Sequence, residues 1–128
     1  MNKRIILTAA FFGALAVVFG AFGAHSLKAI IDTYALDIWA KGVEYQFYHV
    51  FALLFLSTFG RFRNKLVDWS YYCFTAGIVL FSGSLYLLAT REVLQLSFVN
   101  FIGPITPIGG LFFIAGWALL LLAALRHK

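Results

Sequence analysis

The chain has 128 residues, of which 62% are hydrophobic and 12% charged, with a formal net charge of +5. This excludes an ordinary soluble domain, in which about a quarter of residues are charged and so short a chain buries the smallest share of its surface. Nucleic acid is also set aside as a partner, because the ten Lys and Arg stand singly or in short clusters at the ends of apolar runs, not on one basic face.

The first apolar run covers residues 5–24. About 20 residues at a rise of about 1.5 Å span a hydrocarbon core of about 30 Å. Only a helix satisfies the backbone of so continuous a run in lipid. Period-two alternation is missing from the apolar runs, which argues against a membrane barrel. Lys3 and Arg4 before the run, and Ala21-Phe22-Gly23 near its end, imitate a secretory signal. A signal core is shorter, usually about 7–15 residues, so a retained helix is expected. Gly13, Ala16, Gly20 and Gly23 recur at steps of three and four and share one stripe. Small residues on a stripe let helix backbones approach closely in lipid; the stripe is expected to pack within the bundle or against a second copy. His25 closes the run.

Between the first two runs, Leu27, Ile30, Ile31, Tyr34 and Ile38 recur at helical spacing, with Lys28, Asp32 and Asp37 on other faces. This predicts a short amphipathic helix lying in the membrane interface. The second run, residues 40–59, carries the most polar groups. His49 lies about ten residues into it, roughly 10–15 Å below the surface. Tyr45 and Gln46 share its face, at spacings of four and three. Glu44 does not, since five residues rotate the helix by about 140°; it neighbours Lys41 and suits an interfacial ion pair. A His–Glu metal pair within this helix is therefore not expected.

The third run, residues 69–89, contains the lone cysteine, Cys73, which packs as a small apolar residue, and the hydroxyls Ser82 and Ser84. Residues 91–103 alternate Leu94, Leu96 and Phe98 with Gln95 and Ser97 and are expected to be extended. The fourth run, residues 107–125, opens with Thr106-Pro107-Ile108-Gly109-Gly110. Thr106 suits an N-cap and Pro107 the first helical position, and a helix start with glycines can receive an anion.

The basic residues orient the bundle. Lys3, Arg4, Arg61, Arg63, Lys65, Arg126 and Lys128 fall on one side; Lys28, Lys41 and Arg91 fall on the other beside Asp32, Asp37, Glu44 and Glu92. By the positive-inside rule both termini are cytoplasmic. Trp39 and Tyr34 at the outer boundary, and Trp69, Tyr71 and Tyr72 at the inner one, suit aromatic belts.

The expected fold is all-α: one domain over residues 1–128, a four-transmembrane-helix bundle with an interfacial helix between the first two. His25, Tyr45, Gln46, His49, Ser82, Ser84, Thr106, Gly109 and Gly110 collect in its outer half and suggest a polar ligand pocket there. No metal or cofactor motif is present, and none is expected.

Gly20-Ala21-Phe22-Gly23-Ala24-His25, Tyr45-Gln46-Phe47-Tyr48-His49, Phe81-Ser82-Gly83-Ser84 and Thr106-Pro107-Ile108-Gly109-Gly110 with Gly116-Trp117 resemble the YgdD-like family of small bacterial inner-membrane proteins of unknown function. The resemblance runs over nearly the whole chain and implies a four-helix membrane protein. It supplies no activity, cofactor or catalytic residue. The functional expectation is a non-enzymatic, multi-pass inner-membrane protein that binds a lipid, a small apolar molecule or a protein partner. A homo-oligomeric transporter or channel subunit and a His-dependent membrane enzyme stay open as alternatives. The partners expected are membrane lipid, a second copy, and a small molecule whose identity is not readable.

Overall fold

The computed structural model describes residues 2–59 and 64–127, apart from the side chain of Val99. Arg61, Arg63 and Lys128, three of the residues used to orient the bundle, lie outside these. The described chain is helical, with four long elements: α1 (Lys3–Ala24), α2 (Thr33–Leu56), α3 (Lys65–Ala89) and α4 (Ile105–Arg126). Among the described residues there is no strand. The helical stretches Lys3–Ala29, Lys65–Ala89 and Asn100–Arg126 are long and apolar enough to cross a membrane. The 24-residue α2 has the length but is less clearly a span, because Lys41, Glu44, Gln46 and His49 interrupt its apolar character.

Local chemistry sets the helix starts. The Asn2 side chain accepts from Ile5 N, Asp32 from Ala35 N, and Asn64 from Leu66 N, each satisfying an otherwise unpaired first-turn amide. Asp32 also revises the interfacial helix. The segment after α1 is a single 3-10 turn, Leu27–Ala29, and residues 33–38 are already the first turns of α2. Of the periodic apolar residues, Tyr34 and Ile38 belong to the longer helix that Asp32 caps, while Leu27, Ile30 and Ile31 precede it. Two further expectations change. Residues 91–103 are not extended: turns fill Thr90 to Gln95, followed by a helical turn at Val99–Ile102. Leu94 N donates to Thr90 O and Leu96 N to Arg91 O, so local bonds replace strand pairing. Thr106 is no cap, because α4 begins at Ile105 behind Pro104. Pro107 is tolerated there since first-turn amides have no helical partner anyway.

The helices run up and down, with both described ends of the chain at one end of the bundle. α2 sits centrally, against α1 on one side and α3 on the other. α3 and α4 pack along their whole length by exchange of aromatic rings and glycines. A Cβ on Gly116 would lie 2.6 Å from the Phe74 ring, and one on Gly77 would overlap the Phe113 ring. One turn further, a Cβ on Gly109 would strike the backbone of Phe81. Rings fill the places that the glycines leave, which is how helices gain contact in a solvent as apolar as themselves. The α1 stripe faces α2: Gly13 opposes Val50, Gly20 opposes Val43, Gly23 lies under the Trp39 indole, and Ala16 is fully buried. Within α3, Ile78–Ser82 forms a π-helical segment.

Candidate functional site

Most of the buried polar groups join helices, while Ser57 and Thr90 bond back to Leu54 O and Tyr86 O of their own helices. Gln46 Nε2 donates to Phe12 O of α1 over 2.7 Å, while its Oε1 accepts from the Tyr86 hydroxyl of α3 over 2.6 Å. One side chain thus ties three helices. His49 is 5% exposed. Its Nδ1 lies 2.7 Å from Tyr45 O, and its Nε2 lies 3.1 Å from the Trp117 indole Nε1. The indole can only donate, so Nε2 accepts and Nδ1 carries the proton. The ring is stacked on Phe113, with centroids 3.6 Å apart and planes 8° from parallel. Both nitrogens are committed, and the faces are covered by aromatic rings.

The hydroxyls repeat the pattern. Ser82 Oγ donates to Gly42 O of α2 over 2.7 Å. Ser84 Oγ donates to Phe81 O and lies 2.6 Å from Thr106 Oγ1. A hydroxyl has one hydrogen, so Thr106 is the donor in the α3–α4 pair. Gly109 is covered by the Phe81 backbone, and Gly110 lies under the Phe81 ring, so the start of α4 is packed rather than open. Tyr45 stacks on Phe81 at 4.8 Å between centroids. Among the described residues no buried side-chain nitrogen or oxygen lacks a partner, and no three His, Cys, Asp or Glu side chains converge.

His25 stands apart from this network. It is exposed behind the end of α1. The opposition of Gly13 with Val50 and of Gly20 with Val43 sets it about eleven helical residues, roughly 16 Å, from His49.

Several interhelical donors escape a reading of the sequence. Ser70 donates to Gly116 O over 2.9 Å. Tyr71 OH pairs with Thr8 Oγ1 over 2.7 Å, and because Thr8 donates to Arg4 O, the tyrosine is the donor. Trp39, expected in an aromatic belt, turns inward and donates to Phe19 O over 2.8 Å. Tyr71, expected in the other belt, is buried too, whereas Trp69, Tyr72 and Tyr34 are exposed. Single hydroxyls and indoles in apolar runs carry no sign of a partner on another helix. Only the shape of that partner turns them inward.

Empty space lies elsewhere. A groove of about 340 Å³ runs between α1 and α2 at the end away from the termini. Gly20, Gly23 and Ala24 line it on one side, and Ala40, Val43 and Glu44 on the other. Beside it, Lys41 Nζ and Glu44 Oε2 pair at 3.5 Å, with both side chains about half exposed.

A family model described as a protein of unknown function (DUF423) matches residues 19–110. The UPF0382 membrane protein SAB0533 of Staphylococcus aureus is 40% identical over 124 residues, covering 97% of each chain. A UPF0382 membrane protein of Staphylococcus haemolyticus, SH2409, is 37% identical over the same length and share. The UPF0382 membrane protein YwdK of Bacillus subtilis is 36% identical over 127 residues, covering 98% of each. No solved structure matches. These relatives run nearly the full length of the chain and are membrane proteins of the kind that the glycine, histidine and Thr-Pro motifs point to. The chain belongs to the DUF423 family of bacterial membrane proteins.

Proposed function

We propose that the protein is a non-enzymatic, multi-pass protein of the bacterial inner membrane that works by binding a partner in the groove between α1 and α2. The interior is its scaffold. One observation carries this reading: the polar side chains inside the bundle are consumed by bonds to one another and to backbone carbonyls. A general base or a ligand for metal needs a free lone pair, and His49 has given its own to Trp117. The groove, by contrast, is open. Its volume of about 340 Å³ is at the lower end of the range of about 300–1,000 Å³ typical of small-molecule sites. Its walls are apolar except at Glu44.

In this reading Gln46, His49, Ser82, Ser84 and Thr106 hold the helices to one another away from the groove, and Tyr45, Gly109 and Gly110 close the seam with α3 and α4. The polar half of the bundle faces away from the cytoplasm, with both termini cytoplasmic, as the basic residues indicate. A reporter fused after residue 128 is expected to be active in the cytoplasm only; a periplasmic signal would reverse the orientation.

The binding reading is tested by native mass spectrometry of the protein in a mild detergent. A second mass on the chain, whether a lipid, a small molecule or another protein, is expected. It is expected to disappear when Ala24→Leu and Ala40→Leu fill the groove. A bare chain, or a bound mass indifferent to the filled groove, would overturn the reading.

A further inference from the structure

We infer that the occupant of the groove is a second copy of this chain, joined through the outward face of α2 about a two-fold axis along the membrane normal. This rests on the groove reading above and goes on to name the partner.

Val43 opposes Gly20 of α1, so Glu44 lies about five helical residues, roughly 7 Å, below the end of α1 at Ala24. Tyr48, one turn deeper, is 53% exposed. Lys41, Glu44 and Tyr48 follow one another at steps of three and four and share one face. That face looks away from α3 and α4, which hold the opposite side of α2 through Gly42, Gln46 and His49. A lysine can snorkel to the surface. A glutamate at that depth has a much shorter reach. Charged side chains in a membrane almost always face protein or a water-filled cavity, and within one chain Glu44 faces only an open groove whose other walls are apolar.

The chemistry of the face selects a like partner. An isologous two-fold contact needs a self-complementary patch, in which one residue meets a second and the second meets the first. Lys41 and Glu44 form such a patch: the lysine of each copy meets the glutamate of the other. An axis along the normal keeps both copies in the same orientation and at the same depth. The pair then differs in height by three residues, about 4.5 Å, which a lysine side chain spans. Gly20, Gly23, Ala24 and Ala40 beside it are small enough for a partner helix to approach closely. Gly23 lies under the Trp39 indole, and Gly20, Ala24 and Ala40 are the part that a partner can reach.

The experiment mixes two variants. Lys41→Glu leaves two acidic groups on the face, and Glu44→Lys leaves two basic ones. Each variant alone repels its own copies and has lost the pair within its chain. A mixture of the two restores attraction only between chains. Differently tagged K41E and E44K chains are co-purified in mild detergent and weighed by native mass spectrometry beside wild type. Wild type is expected as a dimer. Each variant alone is expected to dissociate about tenfold more readily, and the mixture to give back a mixed dimer. Recovery also shows that both variants fold.

A monomeric wild type carrying a lipid or small molecule would overturn the second copy and leave the groove reading standing. A wild-type dimer that neither charge change weakens, or a mixture that fails to recover, would overturn this interface. A bare monomer would overturn both.

Discussion

The two long seams of the bundle use the same residue type and reach opposite results. Between α3 and α4, the glycines at 77, 109 and 116 are met by Phe113, the Phe81 backbone and Phe74, and the seam closes. Between α1 and α2, Gly23 is covered by the Trp39 ring, but Gly20 meets only Val43, where an added Cβ would sit at 3.6 Å, and beside it the seam opens into a groove. A small residue is therefore an invitation whose outcome depends on the side chain opposite. A ring fills the space, while a valine leaves part of it free. The α3–α4 seam is architecture, and in the proposed reading the α1–α2 seam is where another molecule enters.

Substitutions on the two seams should separate them. The largest effect is expected for Gly109→Ala, since its new Cβ would strike backbone, which cannot rotate away. A loss of about 3 kcal/mol or more is expected, at the upper end of overpacking costs. Gly116→Ala meets a ring edge instead and is expected to cost about 1–3 kcal/mol as Phe74 shifts. Gln46→Leu, behind the open seam, strands the Tyr86 hydroxyl and is expected to cost about 1–2 kcal/mol. Adding Tyr86→Phe should recover part of that, because the stranded group is then removed. Gly20→Ala should be the mildest, within about 0.5 kcal/mol of wild type. Titration with SDS in mixed micelles, followed by helical circular dichroism, ranks the four. If Gly20→Ala proves as damaging as Gly116→Ala, the seams do not differ as described.

Much of the architecture could be read from the sequence, because length and composition are the dominant signals in lipid. Four apolar runs became four helices, and Gly13, Gly20 and Gly23 lie against Val50, Val43 and Trp39 of α2. The site was harder to read. His49, Gln46 and Ser82 stand out as polar residues in apolar runs, but sequence does not say whether such a group is free or bonded. Here Trp117, Phe12 and Gly42, distant in the chain, supply the partners. The depth shared by His25 and His49 was coarse: both fall in one half of the bundle, yet helix register holds them far apart. The outward Lys41–Glu44–Tyr48 face was invisible for a related reason. Which side of α2 is left uncovered depends on where α1, α3 and α4 dock.

The division between a spent interior and an open groove is most directly tested by native mass spectrometry of two variants beside wild type. Ala24→Leu with Ala40→Leu fills the groove and leaves the interior intact; His49→Phe breaks the bond to Trp117 and leaves the groove intact. The expected result is a bound mass absent from the first and present on the second, with only the second easier to unfold. A groove-filled chain that keeps its bound mass, together with a His49→Phe chain that loses it, would contradict the account.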